Sequence, residues 1–333
     1  MVKLFVILTA ADEAATVGRA VEQIVCPNKE LWPYLQLLIV SPDQPTLEAA
    51  EKVCQAIGFA DYTLVADAGR GKAAALNLAV ATITNTFSVN YGEDLLIMTD
   101  GDMYVADHAL QELLASFCIQ PGNPQSDSQG GRLLGGVGGH PVSLTDRQTR
   151  FGYYSHLFCE AAHQRRLTHP ATPMSGYLYA VRLLKDFFPI PEPLNAEDAY
   201  ISKKLLSLGY QLGYAPEALA YVRFPQNLSD WYKQKTRSLG GNVQIGKIDQ
   251  TGQPIRPLIR ETAGRPSVRS VRSPGQDLQM LLFPVKFAQN AKELIWSLQL
   301  YPLRLLLWVK IYYRHLFKSY PAGQWARIES SKH

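Results

Sequence analysis

Four short apolar segments alternate with helical segments over residues 2–99, and this alternation constrains the fold more than any other feature of the chain. Buried strands are predicted at 2–9, 37–40, 62–65 and 95–99. Helices are predicted at 16–25, 46–57 and 72–81. Strands that alternate with helices of about ten residues indicate βαβ units and a mainly parallel α/β sheet. Because ligands bind beyond the carboxyl ends of such strands, the polar residues that follow each strand are candidates for a site.

The rest of the chain is less regular. A turn-rich insertion is predicted at 121–131, a glycine-rich strand at 133–142 and another strand at 175–181. Helices are predicted at 151–167, from Glu197 to about Gly209, and at 228–239. No aromatic residue occurs between Tyr232 and Phe283, where Gly, Pro, Gln and Arg dominate. We therefore expect an α/β domain over 1–241, a linker or site-covering loop over 242–276, and a helical tail over 277–320.

Composition excludes several classes of protein. Of 333 residues, 47% are apolar and 19% are charged, which is typical of a folded domain and not of disordered or collagen-like chains. The four cysteines lie far apart and form no C-x-x-C pair, which favours reduced thiols in the cytosol over a disulfide scaffold or a cysteine-based zinc site. No secretory signal is predicted, since Asp12 and Glu13 follow the short apolar run VKLFVILTA.

Charge is divided unevenly along the chain. Residues 251–333 carry 13 Lys/Arg against 4 Asp/Glu, whereas residues 1–250 carry 20 against 25. A basic segment of this kind is attracted to anionic surfaces. The arginines between 256 and 272 have no aromatic residues among them, so no nucleic-acid partner is expected.

The tail itself is apolar and aromatic. Residues 294–309 are nearly all apolar, and only Pro302 and Arg304 interrupt them in a way that disfavours a spanning helix. The flanking Trp, Tyr, Lys and Arg residues favour an amphipathic helix lying in a membrane interface. Packing of the tail on the α/β domain and a true membrane span are the alternatives.

Three constellations are candidates for chemistry. Asp100-Gly101-Asp102 directly follows the strand at 95–99, and paired carboxylates there can hold Mg²⁺ or Mn²⁺ beside a diphosphate. The stretch Gly69-Arg70-Gly71-Lys72 opens an alanine-rich helix, and a helix N-terminus with added cations favours an anion. Glu197-Asp198 opens a later helix, where a carboxylate facing a cleft can deprotonate a hydroxyl. Because a helix N-terminus favours the ionised carboxylate, we expect that role to depend on position more than on a raised pKa.

Together these parts resemble glycosyltransferase family 2, the inverting nucleotide-sugar transferases of the GT-A fold. The resemblance runs from about residue 2 to residue 241. The matching motifs are Thr9-Ala10-Ala11-Asp12-Glu13, Gly69 to Asn77, Asp100-Gly101-Asp102, Ser175-Gly176-Tyr177, Glu197-Asp198 and Gln234-Lys235-Thr236-Arg237. Ser238 stands where processive polymer-making members carry Trp, so processive synthesis is not expected.

The resemblance implies a Rossmann-like sheet flanked by helices and a role for each motif. Asp100 and Asp102 would hold the Mg²⁺ or Mn²⁺ cofactor, Asp198 would be the general base beside Glu197, and Arg237 would hold the leaving diphosphate. The remaining implied residues are Ala10, Glu13, Asp43, Lys72 and Asn77 with Asp100 on the donor nucleotide, and Gly176 and Gln234 on the leaving-group and acceptor side.

The expected reaction is transfer of a sugar from a UDP- or GDP-sugar to an acceptor hydroxyl, with inversion at the anomeric carbon. The basic, aromatic tail adds the expectation of a lipid or isoprenoid acceptor and of peripheral contact with the cytosolic face of a membrane. Two alternatives remain. One is a non-catalytic nucleotide-sugar binder. The other is a sugar-1-phosphate nucleotidyltransferase, which the absence of glycine from residues 9–17 disfavours.

Overall fold

The computed structural model describes residues 2–117, 119–120, 123–124, 133–192, 194–245 and 281–317, which are built around an eight-stranded mixed sheet. Its strands are β1 (Leu4–Thr9), β2 (Leu35–Ser41), β3 (Tyr62–Ala66), β4 (Leu95–Asp100), β5 (Tyr104–Val105), β8 (Leu134–Ser143), β9 (Leu178–Arg182) and β10 (Gln211–Val222). A separate two-stranded hairpin is formed by β6 (Ile119–Gln120) and β7 (Asn123–Pro124). The strand order in the main sheet is β3-β2-β1-β4-β9-β8-β10-β5.

The first half of the sheet is parallel. β2 pairs with β1 and β3, and β1 pairs with β4, all in parallel register. The carboxyl ends of these strands therefore meet at one edge, as the alternation of segments predicts. β9 then runs antiparallel to both β4 and β8, while β10 is parallel to β8. The sheet is mixed beyond β4, and its parallel part is the one that positions the D-G-D turn.

Helices cover both faces of the sheet, and the C-terminal helices pack with two of the preceding helices in a cluster of their own. They are α1 (Val17–Val25), a 3-10 segment (Cys26–Tyr34), α2 (Gln44–Ile57), α3 (Lys72–Thr86), α4 (Ala109–Ser116), α5 (Arg150–Thr168), α6 (Glu197–Ser207), α7 (Leu228–Ile245), α8 (Phe283–Phe287) and α9 (Ala291–Phe317). Local signals set several ends. The Asp43 carboxylate caps α2 by accepting a hydrogen bond from Thr46 N, and Gly58 ends that helix at a φ of +72°.

Two apolar layers, one on each face, stabilise the sheet. Alternate residues of β1 point into opposite layers: Leu4, Val6 and Leu8 into one, Phe5 and Ile7 into the other. All six residues of β1 are buried, which is the pattern of a central strand covered on both faces. The strands are held in place by this packing, so the loops at their carboxyl ends start from fixed positions.

The predicted segments correspond to observed elements, but several observed elements were not predicted, among them the 3-10 segment at Cys26–Tyr34. β5, α4 and β10 have no predicted counterpart, and β10 contains a register shift against β8 between Tyr214 and Leu219 that interrupts its periodicity. α7 continues to Ile245, past the predicted domain boundary at 241. Most of the predicted insertion at 121–131, the predicted linker from 246 onward and the last residues of the predicted tail lie outside the described residues.

The tail packs against the body of the protein. Residues of α8 and α9 join a cluster with α5 and α7 that includes Tyr153, Trp231 and Leu300. The Tyr153 hydroxyl lies 2.6 Å from Ser297 Oγ, and Tyr154 donates a hydrogen bond to the carbonyl of Trp296. Helical packing, one of the alternatives for the tail, is therefore present along one face of α9.

The other face of α9 is apolar and exposed. Its exposed side chains recur at helical spacing: Leu294, Ile295, Leu298, Leu305, Leu306, Val309, Tyr312 and Tyr313. We call these residues the apolar stripe. Within the described part of the chain, one helical segment, Ala291–Tyr313, is long and apolar enough to cross a membrane, with a mean hydropathy of 1.2. Because the body covers the other face of α9, the stripe is the part of this helix that is left exposed.

Candidate active site

The loop after β1 packs directly on the D-G-D turn that ends β4. A side-chain carbon at Gly101 would lie 2.7 Å from both Ala10 Cβ and Glu13 Oε2, so glycine is required for this close approach. Thr9 Oγ1 donates a hydrogen bond of 2.7 Å to Asp100 Oδ1. The first and third family motifs are thereby brought into one wall of a cleft.

Lys72 connects this wall to the helix that begins at Glu197. Its Nζ lies 2.6 Å from Asp100 Oδ1 and 3.3 Å from Glu197 Oε1, and it donates a hydrogen bond to the carbonyl of Gly176. The side chains of Lys72 and Glu197 are only 9% and 5% exposed, so the pairs lie in a region of low dielectric constant. Burial alone would lower the pKa of Lys72, but Asp100 and Glu197 hold it above its ordinary value.

Asp198 follows Glu197 at the start of α6 and lies close to both Lys72 and Gly176. A side-chain carbon at Gly176 would be 3.1 Å from Asp198 Oδ2, so the glycine lets the chain before β9 approach the carboxylate. Desolvation deep in the cleft, followed by the charge of Glu197, raises the pKa of Asp198 to about 6. The pKa is thus raised although the helix N-terminus favours the ionised carboxylate, because burial outweighs the helix N-terminus. A carboxylate with a pKa near neutrality is suited to general-base catalysis.

The acidic residues of the D-G-D turn fit a cation that is shared with a ligand. Among the described residues, no group of three or more His, Cys, Asp or Glu side chains is arranged to hold a metal ion. Mg²⁺ is commonly bound by one or two carboxylates together with the phosphates of a substrate. Asp100 and Asp102 both line the cleft and supply that number of carboxylates, so they would hold the ion together with diphosphate oxygens.

α7 contributes Gln234 and Arg237 to the same cleft. Burial lowers the pKa of the Arg237 guanidinium. The negative charges of Glu197, Asp100 and Asp102 raise it in part. Arg237 therefore lies within electrostatic reach of both the D-G-D turn and the start of α6. A cation in this position can stabilise negative charge that develops between the two.

Two residues of the predicted donor site, Asp43 and Asn77, are not among the residues that line the cleft. Asp43 does not line the cleft: its carboxylate caps α2 and also accepts a hydrogen bond of 2.6 Å from Asp12 N. Asn77 forms a pair of hydrogen bonds with the backbone of Ile190 and also lies outside the lining. Both side chains shape loops near the site, and the prediction that they contact the nucleotide gains no support from their positions.

The cleft is larger than the motifs alone define. It encloses about 850 Å³, and its lining includes Asp67 at the end of β3, which the sequence did not single out. Its far side is formed by α5, α7, α8 and α9 through Phe158, Lys235, Phe283 and Arg304. The tail therefore contributes to the cleft wall, which no sequence motif indicated.

The family model of glycosyl transferase family group 2 matches residues 136–325, more than half of the chain. This chain belongs to that family. The match includes Gly176, the Glu197-Asp198 pair, α7 and α9, so the tail of this glycosyltransferase lies within the family's own boundaries. The loop after β1, Lys72 and the D-G-D turn precede the matched range, and the fold brings them to the same cleft.

The fold has counterparts among solved structures. The mannosyltransferase PcManGT of Pyrobaculum calidifontis, solved with GDP-Man and Mn²⁺, superposes with a TM-score of 0.58 at 17% identity, over 95% of this chain and 87% of that one. This likeness shows that the glycosyltransferase has the GT-A fold.

Two further structures are more distant. Glucosyl-3-phosphoglycerate synthase of Mycobacterium tuberculosis, solved with Mg²⁺ and UDP, gives a TM-score of 0.45 at 15% identity, over 73% of this chain and 79% of that one. TarS of S. aureus gives 0.45 at 12% identity, over 74% and 67%. The search of curated proteins finds no match.

Proposed function

We propose that this chain transfers one sugar from a UDP- or GDP-sugar to an acceptor hydroxyl, with inversion at the anomeric carbon. The observation that carries the proposal is the position of Lys72, whose Nζ lies within 3.3 Å of both Asp100 and Glu197. One buried cation thus joins the donor wall of the cleft to the helix that bears the candidate base. Lys72, Asp100 and Glu197 belong to three different family motifs, and these contacts bring the three together.

The residues support a single displacement. Asp198 takes the proton of the acceptor hydroxyl, whose oxygen then attacks the anomeric carbon on the face opposite the departing diphosphate. The bond from that carbon to the diphosphate oxygen breaks, and the oxygen leaves with the electron pair. Arg237 stabilises the negative charge on the leaving group. A divalent cation held by Asp100 and Asp102 would supply Lewis-acid neutralisation of the diphosphate.

The donor part of the proposal is tested by thermal unfolding. UDP- and GDP-sugars are added to the wild type and to Asp102→Asn, each with Mn²⁺ or EDTA. A donor at 100 times its Kd raises the free energy of unfolding by about 2.7 kcal/mol. We expect a metal-dependent shift with one donor class that the variant loses. Equal shifts with EDTA, or near-normal turnover by Asp102→Asn, would contradict the metal assignment.

The inversion is tested on the product. The anomeric configuration of the transferred sugar is read by NMR from a reaction with the donor found above. We expect the configuration opposite to that of the donor, and Asp198→Asn should retain donor binding while losing transfer. A product with retained configuration would overturn the proposed mechanism while leaving the family assignment intact.

The apolar stripe on α9 supports a lipid or isoprenoid acceptor reached at the cytosolic face of a membrane. Leu298, Leu305 and Leu306 are 54%, 66% and 60% exposed on this helix. A helix with one face packed and one apolar face exposed suits a membrane interface. The basic C-terminal region would add attraction to the anionic cytoplasmic leaflet.

Flotation with phosphatidylcholine–phosphatidylglycerol vesicles tests this contact. We expect Leu298→Asn/Leu305→Asn/Leu306→Asn to lose vesicle binding. The matched control replaces three exposed leucines away from α9 by Asn: Leu78, Leu133 and Leu208. Equal binding by the stripe variant and its control would remove the membrane contact from the proposal.

A further inference from the structure

The far side of the cleft contains cations that the proposed transfer does not use. Lys235 Nζ lies 3.9 Å from the centroid of the Phe158 ring, and Arg304 Cζ lies 5.7 Å from the same centroid. The two residues come from α7 and α9, and all three side chains line the cleft. Two cations drawn against one ring repel each other, so an anion bound between them would be stabilised by both.

A third cation extends this group toward the candidate base. Arg166 lines the cleft near the end of α5, and it donates a hydrogen bond through one terminal nitrogen to the carbonyl of Pro173. Its Nε is buried and, among the residues that the structure describes, has no hydrogen-bond partner. A buried guanidinium donor without an acceptor is costly, which points to a ligand atom that supplies one. Arg166 also lies close enough to Asp198 to lower the pKa of that carboxyl in part.

The three cations lie close together. Burial raises the pKa of the Cys159 thiol to about 12, and both Lys235 and Arg166 act against that shift, so Cys159 lies near both. Lys235 also shares the Phe158 ring with Arg304. We call Arg166, Lys235 and Arg304 the basic wall. The lining of the same cleft also carries acidic side chains: Asp12, Glu13, Asp67, Asp100 and Asp102.

These two sets of charged groups suit different ligands. The carboxylates of the D-G-D turn suit a metal–diphosphate complex, whose cation they would meet. The basic wall reaches Asp198 through Arg166, and the proposed function places Asp198 at the acceptor hydroxyl. An anionic group on the acceptor itself would lie along this wall.

Resting on the proposed function, we propose that the acceptor is a phosphate ester whose phosphate binds Arg166, Lys235 and Arg304 while its hydroxyl faces Asp198. Arginine and lysine together suit this role because guanidinium groups bind phosphate oxygens in pairs and lysine adds a point charge. Phe283 and Pro284 of α8 line the same end of the cleft, next to the exposed Leu281 and Leu282. The basic wall thus opens toward an apolar surface. A hydroxyl-bearing phospholipid needs such an arrangement, because its headgroup is polar and its acyl chains are apolar.

Binding of matched probes tests the phosphate requirement. The full chain, saturated with Mn²⁺ and the nucleoside diphosphate that binds it, is titrated calorimetrically with glycerol 3-phosphate or with glycerol. In parallel, flotation compares phosphatidylcholine vesicles that contain phosphatidylglycerol with vesicles that contain diacylglycerol. Preference for glycerol 3-phosphate alone would identify a soluble phosphate ester. Preference for phosphatidylglycerol that depends on the basic wall would identify a lipid.

Variants separate the basic wall from general charge attraction. The double variant Lys235→Gln/Arg304→Gln should weaken binding of the phosphate probe at least tenfold. The single variant Arg166→Gln should also weaken it at least tenfold. Lys52→Gln/Lys185→Gln removes the same charge from exposed positions and should leave binding unchanged. Equal weakening by both double variants, or no preference for either phosphate probe over its uncharged partner, would overturn the proposal.

Donor affinity distinguishes this proposal from the one it rests on. Kd for the nucleoside diphosphate with Mn²⁺ should be the same in the wild type and in Lys235→Gln/Arg304→Gln. Weaker nucleotide binding with unchanged phosphate-probe binding would assign these cations to the leaving group and overturn the acceptor site. Failure of the wild type to bind any nucleotide would instead contradict the proposed transferase function.

Discussion

Lys72 Nζ lies 2.6 Å from Asp100 Oδ1 and 3.3 Å from Glu197 Oε1, so one buried ammonium neutralises carboxylates from two distant parts of the chain. Asp100 ends a parallel strand, and Glu197 begins a helix almost a hundred residues later. Because Lys72 is the first residue of α3, the helix that carries it fixes the distance between the two walls of the cleft. The residue therefore has a structural and an electrostatic role at once.

Replacement of Lys72 by Met should destabilise the protein and alter its pH dependence. Removing one partner of a buried ion pair costs about 3–5 kcal/mol, because the remaining carboxylates are left uncompensated. Lys72 also lowers the pKa of Asp198 in part, so its loss should move the acid limb of transfer to higher pH. Urea unfolding and a pH–rate profile measure the two effects.

Lys233→Met serves as the control for this change. Lys233 pairs with Asp230 at 3.0 Å, but its side chain is 49% exposed. Because the Lys233 ammonium is about half exposed and Asp230 also bonds to Asn227, loss of this partner should cost about 1 kcal/mol. Similar unfolding midpoints for the two variants would argue against the bridging role of Lys72.

Asp198 should give transfer an acid limb. Its pKa is raised to about 6, and a general base must be ionised, so kcat/KM should fall as pH decreases through about 6. The same raised pKa makes folding stability depend on pH. The contribution of the Asp198 carboxyl to stability is fully present below its ordinary pKa, where the group is protonated, and is lost as pH rises through about 6.

The stability effect is checked with Asp198→Asn. Above pH 6 this variant should unfold at a higher urea concentration than the wild type. Its free energy of unfolding should be higher by about 1–2 kcal/mol, after allowance for solvent in the cleft. Below pH 4 the difference should disappear. A variant that is less stable than the wild type at pH 7 would show that the Asp198 carboxylate is not destabilised by its burial.

The sequence predicts those parts of the site that lie in local motifs. Asp100 and Asp102 follow a buried apolar strand, and Asp198 stands in the first turn of a helix, so each has a local signal. The parallel pairing of β1, β2 and β4 was also predictable, because their apolar runs alternate with helical segments along the chain.

The rest depends on contacts between distant segments. Asp43 and Asn77 belong to motif regions, yet their side chains are held by Asp12 N and by Ile190, and no local pattern encodes those partners. Arg304 reaches the cleft only because α9 packs against α5 and α7. The raised pKa of Asp198 likewise follows from burial, which a sequence reading based on helix position could not include.

Two glycines should separate donor binding from transfer. Gly176→Ala places a carbon 3.1 Å from Asp198 Oδ2, which would push the base out of position. We expect at least a tenfold loss of kcat with little change in donor Kd. Gly101→Ala places a carbon 2.7 Å from Ala10 Cβ and Glu13 Oε2, which would displace the loop that packs on the D-G-D turn. Here donor Kd should rise at least tenfold.

Each glycine variant is the control for the other, since both add one methyl group to the same cleft. Donor affinity is measured calorimetrically with Mn²⁺, and kcat is measured at saturating donor. The opposite assignment, with Gly101→Ala affecting only kcat and Gly176→Ala only donor affinity, would exchange the two walls of the proposed site.

The pair of Arg147 and Glu293 should anchor the tail to the body. Arg147 donates two hydrogen bonds to the Glu293 carboxylate, at 3.0 and 3.1 Å, and the Glu293 side chain is only 7% exposed. These bonds hold the pKa of Glu293 below its ordinary value. The stabilisation is therefore present above the ordinary carboxyl pKa and is lost as pH falls through the lowered one.

A double-mutant cycle of Arg147→Met and Glu293→Gln measures this anchor. We expect a coupling of about 1–3 kcal/mol at pH 7, because the pair is bidentate and largely buried. Either single variant should also lower the protection of backbone amides against hydrogen exchange at the start of α9, and in the wild type this protection should fall only at acid pH. A coupling near zero, or unchanged exchange in both variants, would mean that the apolar contacts of α9 hold the tail without this pair.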